Sequence, residues 1–228
     1  MGRVNIRGEV CSEVNKLEDI AQEALEALEA RHRIREEVLD RSRRLIRHSA
    51  NTIRAIHRGE FEKAKEMLDE GRAMAEQFGS ELAEESAIYE AGYVQDALKE
   101  YAEASITYAV VQGLPLPSPG ELQIDYPAYL NGLGEAMGEL RRSILDLMRA
   151  GDLVRAEELL GVMDEVYGVL VTVDFPDAIT RGLRRTTDMV RGVLERTRGD
   201  LTVAVRQQRL EATLREFEGR VIDEFAAE

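Results

Sequence analysis

The 228-residue sequence has no tryptophan, a single cysteine, five prolines and three histidines. Each shortage excludes something. With only Cys11 available, an intramolecular disulfide and a cysteine-rich zinc site are both ruled out. Seven tyrosines and five phenylalanines leave the core to be built from Leu, Val, Ile, Ala and Met. No apolar run approaches the roughly 18 residues of a membrane span. The first residues, MGRVNIRGEVCSEV, lack a signal-peptide core, which predicts a cytoplasmic protein with no membrane partner. Gly-rich phosphate loops, a G-x-S-x-G elbow and a Cys/His pair suited to nucleophilic catalysis are all missing. A di-iron carboxylate bundle needs Glu-x-x-His twice, and only Glu29 with His32 fits.

What is present is charge, and it is unevenly placed. The chain carries a formal −14 at pH 7, a sign that opposes nonspecific nucleic-acid binding over the whole surface. Residues 31–58 reverse it, with nine arginines, no lysine and only Glu36, Glu37 and Asp40 against them; all three histidines fall there too. That window is +6, so the remainder carries −20. A basic element on an acidic body is a more specific signal than either sign alone.

Apolar residues recur at helical spacing nearly throughout, and no useful length alternates with period two. Helices are predicted over about 12–58, 60–78, 81–111, 126–150, 152–171, 177–197 and 200–226, with Pro115, Pro117 and Pro119 enforcing the central loop. Gly151 reads as a helix end and Asp152 as the next N-cap. The expected fold class is all-α, a single domain over 1–228 made of about seven helices in one bundle.

Two sets of residues could carry chemistry. On the first helix, Arg43, Arg47, Arg54 and Arg58 fall within about 60° of one another, opposite Val38, Leu45, Ile53 and Ile56. Such a row is either a solvated face or a stripe that tracks phosphates, and the exclusive use of arginine favours the second. In 98-LKEYAEASITYA-109, Asp96, Glu100 and Glu103 share one helix face, where like charges repel unless a cation compensates. In 132-GLGEAMGEL-140, Glu135 and Glu139 lie one turn apart among three glycines, each costing about 1 kcal/mol in a helix. Acidic spacings arise by chance in a chain with 44 acidic residues. Helices that approach closely through small residues would instead join both pairs into a cage for a hard divalent ion, Mg2+ or Mn2+.

At these residues the chain resembles the translin/Trax family. RIREEVLDRSRRLIRHSANTIRAIHRG is similar to the family's first long helix, LKEYAEA to the Trax pattern L-Q-E-Y-V-E-A, and YLNGLGEAMGELRR to Y-L-L-G-V-A-D-L-T-G-E-L-M-R, followed by a Gly-Asp turn at 151-GD. The match extends over most of the length. It implies an α-helical protein that assembles as an octameric shell around RNA, here a homo-octamer or a hetero-oligomer with a second family member. The translin branch lacks the glutamate pair of the third helix; in the Trax branch the acidic residues bind Mg2+ and cleave RNA. Carried over by motif, Glu100, Glu103, Glu135 and Glu139 become metal ligands and catalytic residues, with Glu135 standing where Trax has Asp. Arg43, Arg44, Arg47, His48 and Arg54 become the contacts to single-stranded RNA.

Overall fold

The computed structural model describes residues 6–82 and 86–226. It is all-α among the described residues, with six long helices and three of four residues each. In chain order these are α1 (Ile6–His57), α2 (Phe61–Glu81), α3 (Ser86–Tyr89), α4 (Gly92–Gln112), α5 (Pro119–Leu122), α6 (Tyr126–Ala150), α7 (Leu153–Thr172), α8 (Asp177–Thr180) and α9 (Leu183–Ala226). No helix of the described residues is long and apolar enough to cross a membrane. The side chain of Cys11 lies outside the described residues.

Local signals account for most boundaries. The α6 helix ends at Gly151, whose φ of 82° is left-handed and whose N–H bonds back to Leu147 and Met148. Asp152 then caps α7, its carboxylate accepting from the Arg155 N–H. The central proline loop contains one helical turn, α5, closed by a Ser118/Glu121 capping box.

Three boundaries differ from the sequence expectation. The α2 helix runs through Gly79 and Ser80 to Glu81. The predicted third helix is divided, with α3 and α4 separated at Glu90 and Ala91; residues 83–85 lie outside the description. The last two predicted helices form one 44-residue helix, continuous through Gly199 because Leu194, Thr197 and Leu201 are buried on either side of it. The break falls earlier, at Arg181 and Gly182, both with positive φ. Asn131-Gly132, a hairpin signal in a strand context, sits inside α6.

The α4 helix is the centre of the bundle, packed on α1, α2 and α6, while α6 also packs on α7 and α9. Leu98, Tyr101, Ala102 and Ile106 from α4 meet Leu133, Ala136, Met137 and Leu140 from α6 in one continuous core. Val38, Leu45, Ile53 and Ile56 turn α1 inward, so the arginine row of that helix is left on the outside, as its periodicity predicts. Both long terminal helices outrun this core. Residues 16–33 and 206–220 are exposed throughout, and they present Leu17, Ile20, Leu25 and Leu28 on α1 and Leu210, Leu214 and Phe217 on α9.

Candidate metal centre

The two acidic segments predicted from sequence do meet. Carboxylate oxygens of Glu100 and Glu103 on α4 and Glu135 on α6 all lie within 4.8 Å of one another. Gly132, one turn before Glu135, is what brings the helices together. A Cβ on it would stand 2.6 Å from the Lys99 carbonyl oxygen, 2.8 Å from the Ala102 Cβ and 3.1 Å from the Glu103 nitrogen, so α6 crosses α4 backbone to backbone. Gly134 plays the same part toward α9, where a Cβ would meet the Thr186 methyl at 2.3 Å. Gly138 has nothing within 4 Å of such a Cβ. Two of the three glycines therefore have a packing reason, and the third does not.

Electrostatics mark the cluster as costly. Burial pushes the Glu103 carboxyl up to about 8, with the charges of Glu100, Glu135 and Glu139 adding to it and Lys99 opposing. Burial also raises Glu100, Lys99 pulls it back, and Glu135, Asp96 and Glu139 raise it further. Asp96 is exposed and stands outside the three-carboxylate cluster. Part of the charge is met from within. The Lys99 ammonium donates to Glu135 at 2.8 Å and lies 3.9 Å from Glu100. Burial pulls the Lys99 ammonium down, but its bond to Glu135 and the nearby acidic charges outweigh this and raise it.

Glu139 is placed differently from the other three. His57, at the end of α1 and with a side chain only 4% exposed, donates through Nε2 to the Glu139 carboxylate at 2.5 Å. That bond holds Glu139 below the usual carboxylate range against the opposing effect of burial, with the charges of His57 and Arg142 also lowering it. Glu139 is near enough to raise Glu103 but is committed to His57 rather than to the cluster. Neither Lys99 nor His57 stood out in the sequence as a partner of these acids, because each contact depends on how helices far apart in the chain are packed.

The donor set suits a hard cation. Mg2+ and Mn2+ prefer carboxylate oxygens, and Glu100, Glu103 and Glu135 would each offer one here. A divalent charge would also offset the mutual repulsion that raises Glu103. The residues present therefore fit the group.

The predicted RNA-contacting residues divide. Arg43 and Arg47 are exposed and make no ion pair among the described residues. Arg44 pairs with Asp40 at 2.8 Å, and Arg54 donates to the Asn51 amide oxygen at 2.7 Å; both remain exposed. His48 faces inward, donating to the Met67 carbonyl of α2 at 2.5 Å with its side chain 14% exposed. His57, at the end of α1, touches Glu139, and the arginine row lies on the exposed face of the same helix. Arg43, Arg47 and Arg54 span roughly 16 Å along α1.

No family model matches the chain. An uncharacterized protein of Methanocaldococcus jannaschii is 30% identical over 184 residues, covering 80% of this chain and 81% of that one. Two solved structures are similar. AfC3PO in complex with duplex RNA has 33% identity and a TM-score of 0.71, covering 86% of this chain and 98% of that one. AfC3PO alone has 32% identity and a TM-score of 0.74, covering 86% and 99%. At 22% identity, apo-NeC3PO shares the fold, with a TM-score of 0.69 over 90% of this chain and 100% of that one. The shared all-helical fold and this extent of identity together establish that the chain belongs to the C3PO/translin family.

Proposed function

We propose that the protein is a Trax-like, metal-dependent endoribonuclease that cleaves single-stranded RNA inside a homo-oligomeric shell. The observation that carries this reading is the meeting of Glu100, Glu103 and Glu135, in a chain whose first helix also bears an exposed arginine row. When bound, Mg2+ or Mn2+ supplies Lewis-acid polarisation of a phosphodiester and a water activated for attack. Glu100, Glu103 and Glu135 hold it. Glu139, kept ionised by His57, orients water at the edge of the cluster. Arg43, Arg47 and Arg54 grip successive phosphates of the strand, and their rigid spacing on one helix gives electrostatic tracking without sequence readout.

Assembly fits the same picture. The aliphatic rows on the free parts of α1 and α9 form exposed apolar surface of the kind that marks protein contacts. An octameric shell would bury them, place the arginines inside and leave the acidic surface outward. The duplex RNA bound by AfC3PO makes a non-catalytic RNA-binding shell the competing reading.

Labelled single-stranded and duplex RNA, each incubated with Mg2+ or with EDTA, separates the two. Cleavage is expected only with Mg2+ and is lost in Glu100→Ala and Glu135→Ala. Cleavage that survives both substitutions, or that persists in EDTA, rules out the proposed centre. Binding is tested separately with Arg43→Ala/Arg47→Ala. Loss of two phosphate contacts is expected to flatten the slope of log K against log salt by about 1.4 for a single strand. An unchanged slope would remove the arginine row from the RNA surface.

A further inference from the structure

The acidic cluster already has a cation seated on it, and that cation belongs to the chain. The Lys99 ammonium lies 2.8 Å from the Glu135 carboxylate and 3.9 Å from that of Glu100. It therefore touches one and approaches another of the three acids whose oxygens could share a metal ion. The lysine side chain is 21% exposed, so it is a partly buried counter-charge rather than a solvated one. Glu103, the third acid, makes no ion pair among the described residues. One ammonium is thus too little charge, and reaches too few oxygens, to settle the whole cluster.

The fold imposes this placement. Gly132 is the point at which α6 comes against the Lys99 carbonyl, and Glu135 follows it by three residues on the same helix. The crossing that assembles the carboxylates therefore also sets the lysine on one of them.

The same lysine has a second place to go. Lys99 and Glu135 line a cavity of about 530 Å³ whose wall also includes Asp96. Asp96 precedes Lys99 by three residues on α4, a spacing at which helical side chains are neighbours. It is exposed and makes no ion pair among the described residues, yet it is near enough to act on the ammonium's charge. A lysine stem is four carbons long and flexible, and open space lies between its present partner and this one.

We propose that Lys99 is a tethered competitor of the divalent cation, held on Glu135 in the metal-free protein and passed to Asp96 when a metal is taken up. Two cations within a few ångströms of the same carboxylates repel strongly in a partly buried site. Because the lysine is attached to the chain, it competes at high effective concentration. The exchange keeps the empty cluster from standing uncompensated, and it raises the concentration of metal needed to fill it. Lys99 is a positioning residue in this role, and Asp96, which shares the helix face of Glu100 but stands outside the cluster, becomes its receiver. The proposal rests on the metal-dependent reading of these carboxylates.

The test measures Mn2+ binding to the full-length protein through the paramagnetic resonance signal of the free ion. Wild type, Lys99→Met, Asp96→Asn and the double variant are compared. Methionine keeps an apolar stem and removes the charge, and it is expected to tighten Mn2+ by about tenfold. Asp96→Asn, at an exposed position, should weaken Mn2+ by roughly threefold in the wild type and by less than about 1.5-fold once Lys99 is gone. The Mg2+ concentration for half-maximal RNA cleavage should fall in Lys99→Met in parallel with the Mn2+ result. Equal affinity in wild type and Lys99→Met overturns the proposal. Weaker binding in Lys99→Met overturns it too, and would make the lysine an aid that orients Glu135. An Asp96→Asn effect that is absent, or the same in both backgrounds, reduces Lys99 to a distant charge and overturns the exchange. Any of these results with Mg2+-dependent cleavage intact leaves the nuclease reading standing. Tighter, coupled binding without RNA cleavage by the wild type sustains the exchange and removes the nuclease reading. Absence of Mn2+ binding in all four proteins overturns both.

Discussion

Glu103→Gln is expected to abolish RNA cleavage and yet to raise the melting temperature of the metal-free protein at pH 9. Glu103 is the most buried of the four acids, and its carboxyl is pushed up to about 8 by burial and by Glu100, Glu135 and Glu139. In the unfolded chain it titrates near the ordinary 4.5. Between those values the folded protein holds a proton that the unfolded chain has lost, so stability falls as pH rises. The contribution is complete below the unfolded value and gone once the pH has passed the folded one. Glutamine stays neutral and removes the penalty, a gain on the order of 3 kcal/mol at pH 9, or roughly 5–10 °C. Added Mg2+ should work in the opposite sense for the wild type, flattening its decline with pH because binding favours the ionised form. Cleavage should drop by about 10³-fold or more, since a metal ligand worth several kcal/mol to the transition state is lost. Thermal scans from pH 5 to 9 with and without Mg2+, alongside single-turnover cleavage, check both halves. A variant that melts lower than wild type at pH 9 without metal would show that Glu103 is a structural contact instead.

A second large effect is expected at the helix crossing. Gly132→Ala would set a methyl group 2.6 Å from the Lys99 carbonyl oxygen and 2.8 Å from the Ala102 Cβ. Neither can rotate away, so α6 must move off α4. Overpacking of this kind costs about 1–3 kcal/mol or more, and the shift would also draw Glu135 away from Glu100 and Glu103. Loss of stability should therefore be accompanied by at least a tenfold weaker apparent affinity for Mn2+, a typical penalty for a misplaced ligand. Gly138→Ala is the internal control. With nothing within 4 Å of the added carbon, it should gain up to about 1 kcal/mol from helix propensity and leave metal affinity unchanged. Calorimetry and Mn2+ titration of both variants decide the matter. If Gly132→Ala binds Mn2+ as the wild type does, the close crossing does not position the cluster.

Much of this architecture was legible along the chain. The apolar period of α1 separated buried Leu45 and Ile53 from exposed Arg43 and Arg47, because a helix turns at a constant angle whatever surrounds it. The close of α6 at Gly151 and the cap of α7 at Asp152 depend on the backbone groups of a few adjacent residues. Where such signals misled, tertiary packing had overridden them. Gly199 reads as a break, but neighbouring buried residues carry α9 through it, while the real break, at Arg181, is held by Glu90 from 91 residues away.

The candidate site divides along the same line. Sequence alone determined that two acidic pairs sit on helix faces, that small residues accompany one of them, and that the basic residues are gathered on a single helix. Which carboxylates meet was decided by the fold. Gly132 and Gly134 look alike in the sequence, as does Gly138, but one admits α4, one admits α9 and one admits nothing. Glu139 has the spacing to share a face with Glu135, and His57, 82 positions away, takes it instead. Lys99 is one more exposed-looking cation until α6 crosses over it. Helical periodicity assigns a side chain to a face, but electrostatic partnership acts over a few ångströms in three dimensions, and only packing brings distant faces within that range.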